Sequence, residues 1–161
     1  MLTDEEDEDE EDDGSAAPQA AWNRAVVELD PAQRGTRVEL VDYQMGGNST
    51  LQVETLSAQF SCDRCHTPLD VLLSGRDADE SCKKLWCDKC STLMTMQLRP
   101  TLLTEESNAL CYLDLDRCTL IDVLPTTLLG VCGACQGENV LSKFQRAKRC
   151  EGNCFHCHAK Y

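Results

Sequence analysis

Four CxxC motifs, arranged as two pairs, constrain this chain more than any other feature. The gap between the motifs of a pair is 21 residues in the first pair and 18 in the second. Two cysteines separated by two residues can direct both sulfurs at one ion from a tight turn, and a second such turn completes a tetrahedron. The spacing therefore predicts two structural zinc sites with one Zn²⁺ ion in each. The eight predicted ligands are Cys62, Cys65, Cys87, Cys90, Cys132, Cys135, Cys154 and Cys157.

The order of the motifs favours two separate sites in tandem. Each half of the chain repeats an apolar segment, a CxxC, about twenty residues and a second CxxC. The alternative is a cross-brace, in which the Cys62 and Cys65 turn shares an ion with the Cys132 and Cys135 turn. The tandem arrangement is preferred because a complete partner motif lies between those two turns.

Composition points to a chain that works in a reducing compartment. It has 12 cysteines in 161 residues, and its first residues lack the basic start and apolar core of a signal peptide. Cysteines in the cytoplasm or nucleus stay reduced unless a metal or a reaction uses them. We therefore expect a cytoplasmic or nuclear protein with zinc rather than disulfides. We expect no membrane association, because no apolar run reaches 18 residues.

The net charge of −13 comes mainly from one segment. Residues 4–13 are ten consecutive acids, and without them 18 acidic residues face 15 basic ones. Residues 1–20 are predicted to be a disordered acidic tail, because like charges repel and little apolar area can be buried there. The remaining chain shows no basic stripe and only 5% aromatic residues, so nucleic-acid binding is not expected.

The rest of the chain has the patterns of β-structure. Short apolar runs at 25–29 and 38–41 flank an Asp30-Pro31 turn, and Gly46-Gly47-Asn48 is a typical hairpin signal. Leu51 and Val53 alternate with polar residues, and the alternation resumes in shifted phase from Leu56 to Phe60, which predicts a bulge near Thr55. Strands are also expected at 94–98, 109–122 and 128–131, and residues 139–149 as a strand or a short helix.

These patterns predict a mainly β protein with tandem zinc ribbons on a small β-sheet scaffold. A strand would deliver each first CxxC turn, and the metal would hold together hairpins whose apolar core is too small to do so alone. We expect three regions: the acidic tail at 1–20, a β-region with the first zinc ribbon at 21–100, and the second zinc ribbon at 101–161.

Four cysteines and three histidines lie outside the eight predicted ligands. Cys111 and Cys118 fall in a strand-like stretch and are predicted to be small buried residues. Cys82, which precedes two lysines, is interpreted as a spare loop thiol. Cys150 is the most plausible substitute ligand. His66 and His156 are expected to be exposed, and His158 is expected to support the last turn by a hydrogen bond, with ligation as the alternative.

The donor set argues against an enzyme. Four thiolates around Zn²⁺ leave no open coordination position, whereas catalytic zinc has three protein ligands and a water. A thiol-redox enzyme would place a single CxxC at a helix N-terminus, not four CxxC motifs in pairs. The sequence contains no phosphate-binding loop and no dinucleotide-binding motif.

Residues 35–160 resemble the cysteine-rich region that precedes the finger in eukaryotic CHY-type zinc finger proteins. The resemblance is carried by the CxxC motifs and, more specifically, by residues 112–118 (YLDLDRC) and 122–125 (DVLP), together with residues 35–40 (GTRVEL) and 98–100 (LRP). The chain departs from the family pattern at Cys111 and Arg117, where the family has glycine. The CHY finger itself would follow the last CxxC motif and is not present in this chain.

Together these features predict a zinc-binding structural module that acts as a scaffold for one or more protein partners. Two alternatives stay open. The first is an accessory region of a ubiquitin ligase whose CHY or RING part lies outside this chain. The second is a thiol-redox or import factor, which disulfides in place of bound metal would reveal.

Overall fold

A computed structural model of the chain describes residues 34–161, which form ten strands and one short helix. In chain order the elements are β1 (Thr36–Glu39), β2 (Asn48–Cys62), β3 (Pro68–Ser74), α1 (Ala78–Ser81), β4 (Cys82–Trp86), β5 (Leu93–Pro100), β6 (Leu102–Leu103), β7 (Ala109–Asp116), β8 (Cys118–Val123), β9 (Thr126–Cys132) and β10 (Glu138–Phe144). The predicted mainly β fold is confirmed. Within residues 34–161, no helix is long and apolar enough to cross a membrane.

Four strands form an antiparallel sheet in the order β1-β7-β5-β4. Its inner strand β7 is apolar on both faces, and the consecutive residues Leu110, Cys111, Tyr112 and Leu113 are all buried. A strand that is covered on both faces has no reason to alternate apolar and polar residues, which explains the continuous apolar run.

The second sheet has six strands and is organised around the 15-residue strand β2. Strands β9 and β6 pair with the first half of β2, and β3 and β8 pair with the second half. The pairing of β2 with β9 shifts register between Val53 and Thr55, and the buried face changes phase there. The predicted bulge is confirmed, and it lets one long strand keep an apolar face toward the core on both sides of the bend.

One apolar core joins the two sheets. Leu56 and Phe60 of the six-stranded sheet belong to the same buried cluster as Met94 and Leu113 of the four-stranded sheet. Burial of such side chains is the main favourable contribution to folding, at about 1.5–3 kcal/mol for each fully buried large apolar side chain.

The hairpin predicted at Gly46-Gly47-Asn48 is wrong. A turn is present, because Asn48 N–H donates to the Met45 carbonyl at 3.1 Å and Gly46 has a φ of 60°. The strands on its two sides do not pair with each other, since β1 pairs with β7 and β2 begins the other sheet. Residues 40–47 therefore connect the sheets, a role that short-range turn signals cannot distinguish from a hairpin.

Strand pairing crosses the predicted boundary at residue 100. Strand β7 pairs with β5, and β9 pairs with β2, so each sheet takes strands from both of the predicted regions 21–100 and 101–161. Residues 139–149 begin as strand β10, which ends at Phe144. The predicted tail at 1–20 and the apolar run at 25–29 lie outside the described residues.

Two adjacent leucines of β6, one buried and one exposed, allow a test of how much the apolar core contributes to stability. Leu103 is 0% exposed and Leu102 is 53% exposed. Replacing Leu103 by Ala should lower the free energy of unfolding of the zinc-loaded protein by about 2–5 kcal/mol, because a cavity forms in the core. Leu102→Ala, the control, should change it by less than about 0.5 kcal/mol. Urea denaturation followed by circular dichroism measures both, and equal effects would contradict the described burial.

Candidate metal centres

All four CxxC motifs adopt the same local conformation, which we call a knuckle. In each knuckle the residue after the second cysteine has a positive φ, and its N–H donates to the carbonyl of the first cysteine at 2.8–2.9 Å. The first cysteine in turn donates its N–H to the carbonyl of the residue five positions later. The left-handed residue reverses the chain, so both sulfurs point to the same side of the turn. The four left-handed residues are His66, Ser91, Gln136 and His158.

The first four cysteines form one compact group, the first centre. The sulfurs of Cys62, Cys65, Cys87 and Cys90 all lie within 4.8 Å of one another. Cys65 Sγ lies 3.4 Å from Cys87 Sγ, and Cys62 Sγ lies 3.6 Å from Cys90 Sγ. Zn–S bonds of about 2.3 Å in a tetrahedron separate the sulfurs by about 3.8 Å, so the group fits one zinc ion.

The first centre lies between the two sheets. One of its knuckles is the turn of the β2–β3 hairpin in the six-stranded sheet. The other is the turn of the β4–β5 hairpin in the four-stranded sheet. A zinc ion held by both turns would therefore join the two sheets directly. Cys62 and Cys87 are buried, and Cys65 and Cys90 are half-buried.

The last four cysteines form the second centre. Cys132, Cys135, Cys154 and Cys157 also bring their sulfurs within 4.8 Å of one another. Cys132 Sγ lies 3.6 Å from Cys157 Sγ, and Cys135 Sγ lies 3.6 Å from Cys154 Sγ. The group suits a second zinc ion.

The second centre differs from the first in its attachment. Its first knuckle is the turn of the β9–β10 hairpin, but its second knuckle is flanked only by an isolated bridge between Asn153 and Lys160. Cys135 and Cys157 are exposed, while Cys132 and Cys154 are buried. Solvent therefore reaches the second centre far more readily than the first.

The two quartets correspond to the tandem pairing predicted from the spacing. The structure brings all eight predicted ligands together in the predicted groups, and no disulfide links any of the 12 cysteines. The cross-brace would require the Cys62 knuckle to meet the Cys132 knuckle, and these belong to different groups.

Hydrogen bonds prepare the first centre for an ion. The hydroxyl of Thr67 lies 3.2 Å from Cys65 Sγ, and this contact lowers the pKa of Cys65 to about 6. The Thr92 hydroxyl lies 3.2 Å from Cys90 Sγ and likewise lowers the pKa of Cys90. Backbone N–H groups also favour the thiolate of Cys87, but burial and the neighbouring thiols raise its pKa to about 11.

The second centre has the same combination of ionised and protonated thiols. Backbone N–H groups, first that of Cys157, lower the pKa of Cys154 to about 6. A backbone hydrogen bond from Gly137 favours the Cys135 thiolate, yet the adjacent Cys157 thiol and burial raise its pKa to about 12. Four crowded sulfurs resist full ionisation unless a cation balances their charge, which a divalent metal does.

Asn139 supports the second centre and was not predicted from the sequence. Its buried amide donates to the Gly137 carbonyl at 3.2 Å and to Cys154 Sγ at 3.5 Å, and its oxygen accepts the Phe155 N–H at 3.0 Å. It thus holds both knuckles of the centre from within strand β10. The sequence offered one signal for this role. A polar Asn stands in β10 two residues before Leu141, so both side chains lie on the buried side of the strand.

The remaining cysteines lie outside both quartets. The predicted burial of Cys111 and Cys118 is confirmed, and burial raises their pKa values to about 12 and about 11. Cys82 and Cys150 are half-buried and do not join either group. The predicted loop position of Cys82 is wrong, because Cys82 begins strand β4 and pairs with Gln97. Cys150, the predicted substitute ligand, packs against the apolar core instead.

The three histidines are exposed and none belongs to a quartet. His66 and His158 occupy left-handed positions of knuckles. The hydrogen bond that His158 makes to the last knuckle comes from its backbone N–H, which donates to the Cys154 carbonyl at 2.9 Å.

No protein-family model matches the chain, and no curated protein matches it. Its function is therefore inferred from the geometry of its own residues.

We predict that Asn139 tightens zinc binding at the second centre alone. Asn139→Ala removes a hydrogen bond to a ligand sulfur and should weaken that centre by about 10–100-fold. Competition with a chromophoric chelator measures the affinity of each centre. Asn153→Ala is the control, because the bridge of Asn153 to Lys160 uses backbone atoms. Equal weakening of both centres by Asn139→Ala would contradict this role.

Zinc binding should strengthen as the pH rises. The thiols of Cys87 and Cys135 are protonated near neutrality, with pKa values of about 11 and about 12, and each must lose its proton to bind zinc. We expect the apparent Kd of each centre to fall by at least about tenfold for each pH unit between about pH 6 and pH 8. Chelator competition across this range, with calorimetry in two buffers to count released protons, measures the effect. A pH-independent Kd would contradict it.

Proposed function

We propose that this chain is a structural zinc module that serves as a scaffold for protein–protein contact and carries out no catalysis. The observation that supports the proposal is the gathering of eight cysteine sulfurs from four knuckles into two four-sulfur groups. A tetrahedral zinc with four thiolates has a complete coordination shell, so it organises structure and does not activate water.

The position of the first centre supports a structural role for its metal. Its knuckles belong to different sheets, so its zinc free energy would contribute directly to holding the sheets together. Apparent values for such sites are about 10–16 kcal/mol at neutral pH, comparable with the whole stability of a domain of this size.

Exposed apolar side chains support a protein as the partner. Val41, Trp86 and Phe155 are 66–80% exposed, and they lie on the connection between the sheets, on edge strand β4 and on the last knuckle. Aromatic residues are enriched at protein interfaces and serve there as anchors. The near balance of acids and bases beyond the acidic run gives no comparable support for nucleic acid.

The family proposal is that this chain corresponds to the region preceding the finger in CHY-type zinc finger proteins. Arg117, where the family pattern has glycine, has a φ of 57°, a conformation that glycine adopts without strain. Gly35, which begins the resembling stretch, has a φ of 92°, and a Cβ there would lie 2.6 Å from the Leu113 carbonyl oxygen. An accessory role in a ubiquitin ligase would follow if the full gene product carries a CHY or RING segment.

A reducing compartment, cytoplasmic or nuclear, is proposed as the site of action. All 12 cysteines are thiols, and thiol ligands of zinc persist only where they are kept reduced. A thiol-redox role is less favoured because each CxxC forms a knuckle outside any helix, whereas redox CxxC motifs use a helix N-terminus to stabilise the thiolate.

Elemental analysis of natively purified protein tests the zinc module. We expect two zinc ions per chain and about four titratable thiols, those of the cysteines outside the quartets. One zinc per chain, or eight or more free thiols, would overturn the proposal.

A pair of cysteine variants separates ligands from buried thiols. Cys65→Ser should lose one zinc ion and unfold most of the two sheets that the first centre joins. The reason is that the free energy of zinc binding contributes to the free energy of folding. Cys111→Ser should keep both zinc ions and have a milder effect on the thermal midpoint. Zinc content and circular dichroism of the two purified variants measure this. Loss of zinc from Cys111→Ser would contradict the assignment.

Photo-crosslinking tests the scaffold. A photoreactive residue at Phe155 or Trp86 should give a defined crosslinked protein in cells, whereas the same residue at exposed Glu106 should not. Absence of any product specific to the two apolar sites would contradict a role for these surfaces.

A further inference from the structure

We propose that the second centre is a releasable clasp: loss of its zinc frees the segment that forms one wall of a surface groove, while both sheets stay folded. We call residues 145–153, between the end of β10 and Cys154, the strap. The inference rests on the proposed zinc module and assigns different roles to its two metals.

The strap lines a large groove. A cavity of about 1540 Å³ is bordered by the strap and by residues 160–161, and also by residues 38–48, residues 120–124 and Thr126. Its apolar lining includes Leu40, Leu141 and Phe144, which pack against the core. Movement of the strap would therefore change both the shape of the groove and the exposure of apolar surface beneath it.

Besides the second centre, the strap and the residues after it are held by packing of Cys150 and Tyr161 against the apolar core and by the hydrogen bonds of Asn139 to the last knuckle. The strap contains no strand, and its internal contacts are a turn in which Lys148 N–H donates to the Gln145 carbonyl and an exposed ion pair of Arg149 with Glu151. Exposed ion pairs contribute little to stability. The strap is fixed at one end by Phe144, which pairs with Thr126 in the sheet, and at the other by the last knuckle.

The last knuckle belongs to neither sheet. Gly152 and Tyr161 exchange backbone hydrogen bonds of 3.1 and 3.2 Å across its base. The chain at Lys160 also packs closely on the opposite wall of the groove, because a Cβ at Gly47 would lie 2.3 Å from the Lys160 carbonyl oxygen. A zinc ion that ties Cys154 and Cys157 to the β9–β10 hairpin thus holds the end of the strap between that hairpin and the opposite wall at Gly47.

The sheets do not need this metal. Strands β9 and β10 stay paired with each other and β9 with β2, and Leu128 and Leu141 are buried in the common core. Release of zinc here opens residues 145–161 as a local unit of low stability, which native proteins commonly contain. At the first centre the corresponding release would separate two sheets.

The exposure of the ligands makes the second zinc the accessible one. Cys135 and Cys157 are exposed, so a competing chelator can reach the metal ion from the side on which these two sulfurs lie. The corresponding cysteines of the first centre, Cys65 and Cys90, are half-buried and lie beside threonine hydroxyls. Zinc should leave the second centre first.

Stepwise chelation of the 161-residue chain with both zinc ions bound tests the clasp. Native mass spectrometry counts zinc while EDTA is added, circular dichroism follows the sheets, and hydrogen exchange follows individual segments. We expect a one-zinc species with unchanged β signal, at least about tenfold faster exchange in residues 145–161, and unchanged exchange in residues 93–116. Removal of the remaining zinc ion, which the first centre holds, should then unfold the sheets.

Matched ligand variants give an independent measurement. Cys157→Ser and Cys90→Ser each remove the last cysteine of the second knuckle of a centre. Cys157→Ser should bind one zinc and keep the thermal midpoint of the chelated one-zinc species, and Cys90→Ser should lose cooperative unfolding. Cys135→Ser, at the other exposed sulfur, should behave like Cys157→Ser.

The outcomes separate the two proposals. A protein that holds fewer than two zinc ions when purified natively overturns the zinc module itself. A protein that holds two zinc ions, but loses them in one step together with the β signal, leaves the module intact and overturns the clasp. Unchanged exchange in residues 145–161 of the one-zinc species also overturns the clasp.

Discussion

The meeting of four thiolates between two sheets is the interaction on which this structure depends. The β2–β3 and β4–β5 hairpins lie in different sheets and share little besides an apolar core and the first centre. The Thr67 hydroxyl lowers the pKa of Cys65 to about 6, but burial and the neighbouring thiols raise that of Cys87 to about 11, so four thiolates do not form together without a cation. A divalent cation balances their charge, and the resulting binding energy acts at the point where the two sheets join.

The same knuckle serves two purposes because its surroundings differ. All four knuckles share one hydrogen-bond pattern and one left-handed residue, so the local sequence sets the direction of the sulfurs. The flanking structure sets how much the metal holds together. Between two sheets, a zinc ion is part of the scaffold. Beyond the sheet edge, where a single bridge flanks Cys154 and Cys157, it holds only residues 145–161.

Much of the local structure was predictable from the sequence. The phase change between Val53 and Leu56 revealed a bulge because a strand must keep its apolar face toward the core. The burial of Cys111 and Cys118 followed from their place in apolar strands. Asn139 was missed because its importance depends on Cys154, which is distant in sequence, and the Gly46-Gly47 hairpin was wrong because turn residues do not specify which strands pair.

The ligands and their grouping follow from the amino-acid pattern alone, since a CxxC turn directs both sulfurs within six residues and the spacing leaves one natural pairing. Three features emerge only from the fold: strands from both halves of the chain interleave in each sheet, the first centre joins the sheets, and the second lies at the surface. Metal coordination at a knuckle is local, whereas strand order, burial and solvent access depend on contacts between residues far apart in the chain.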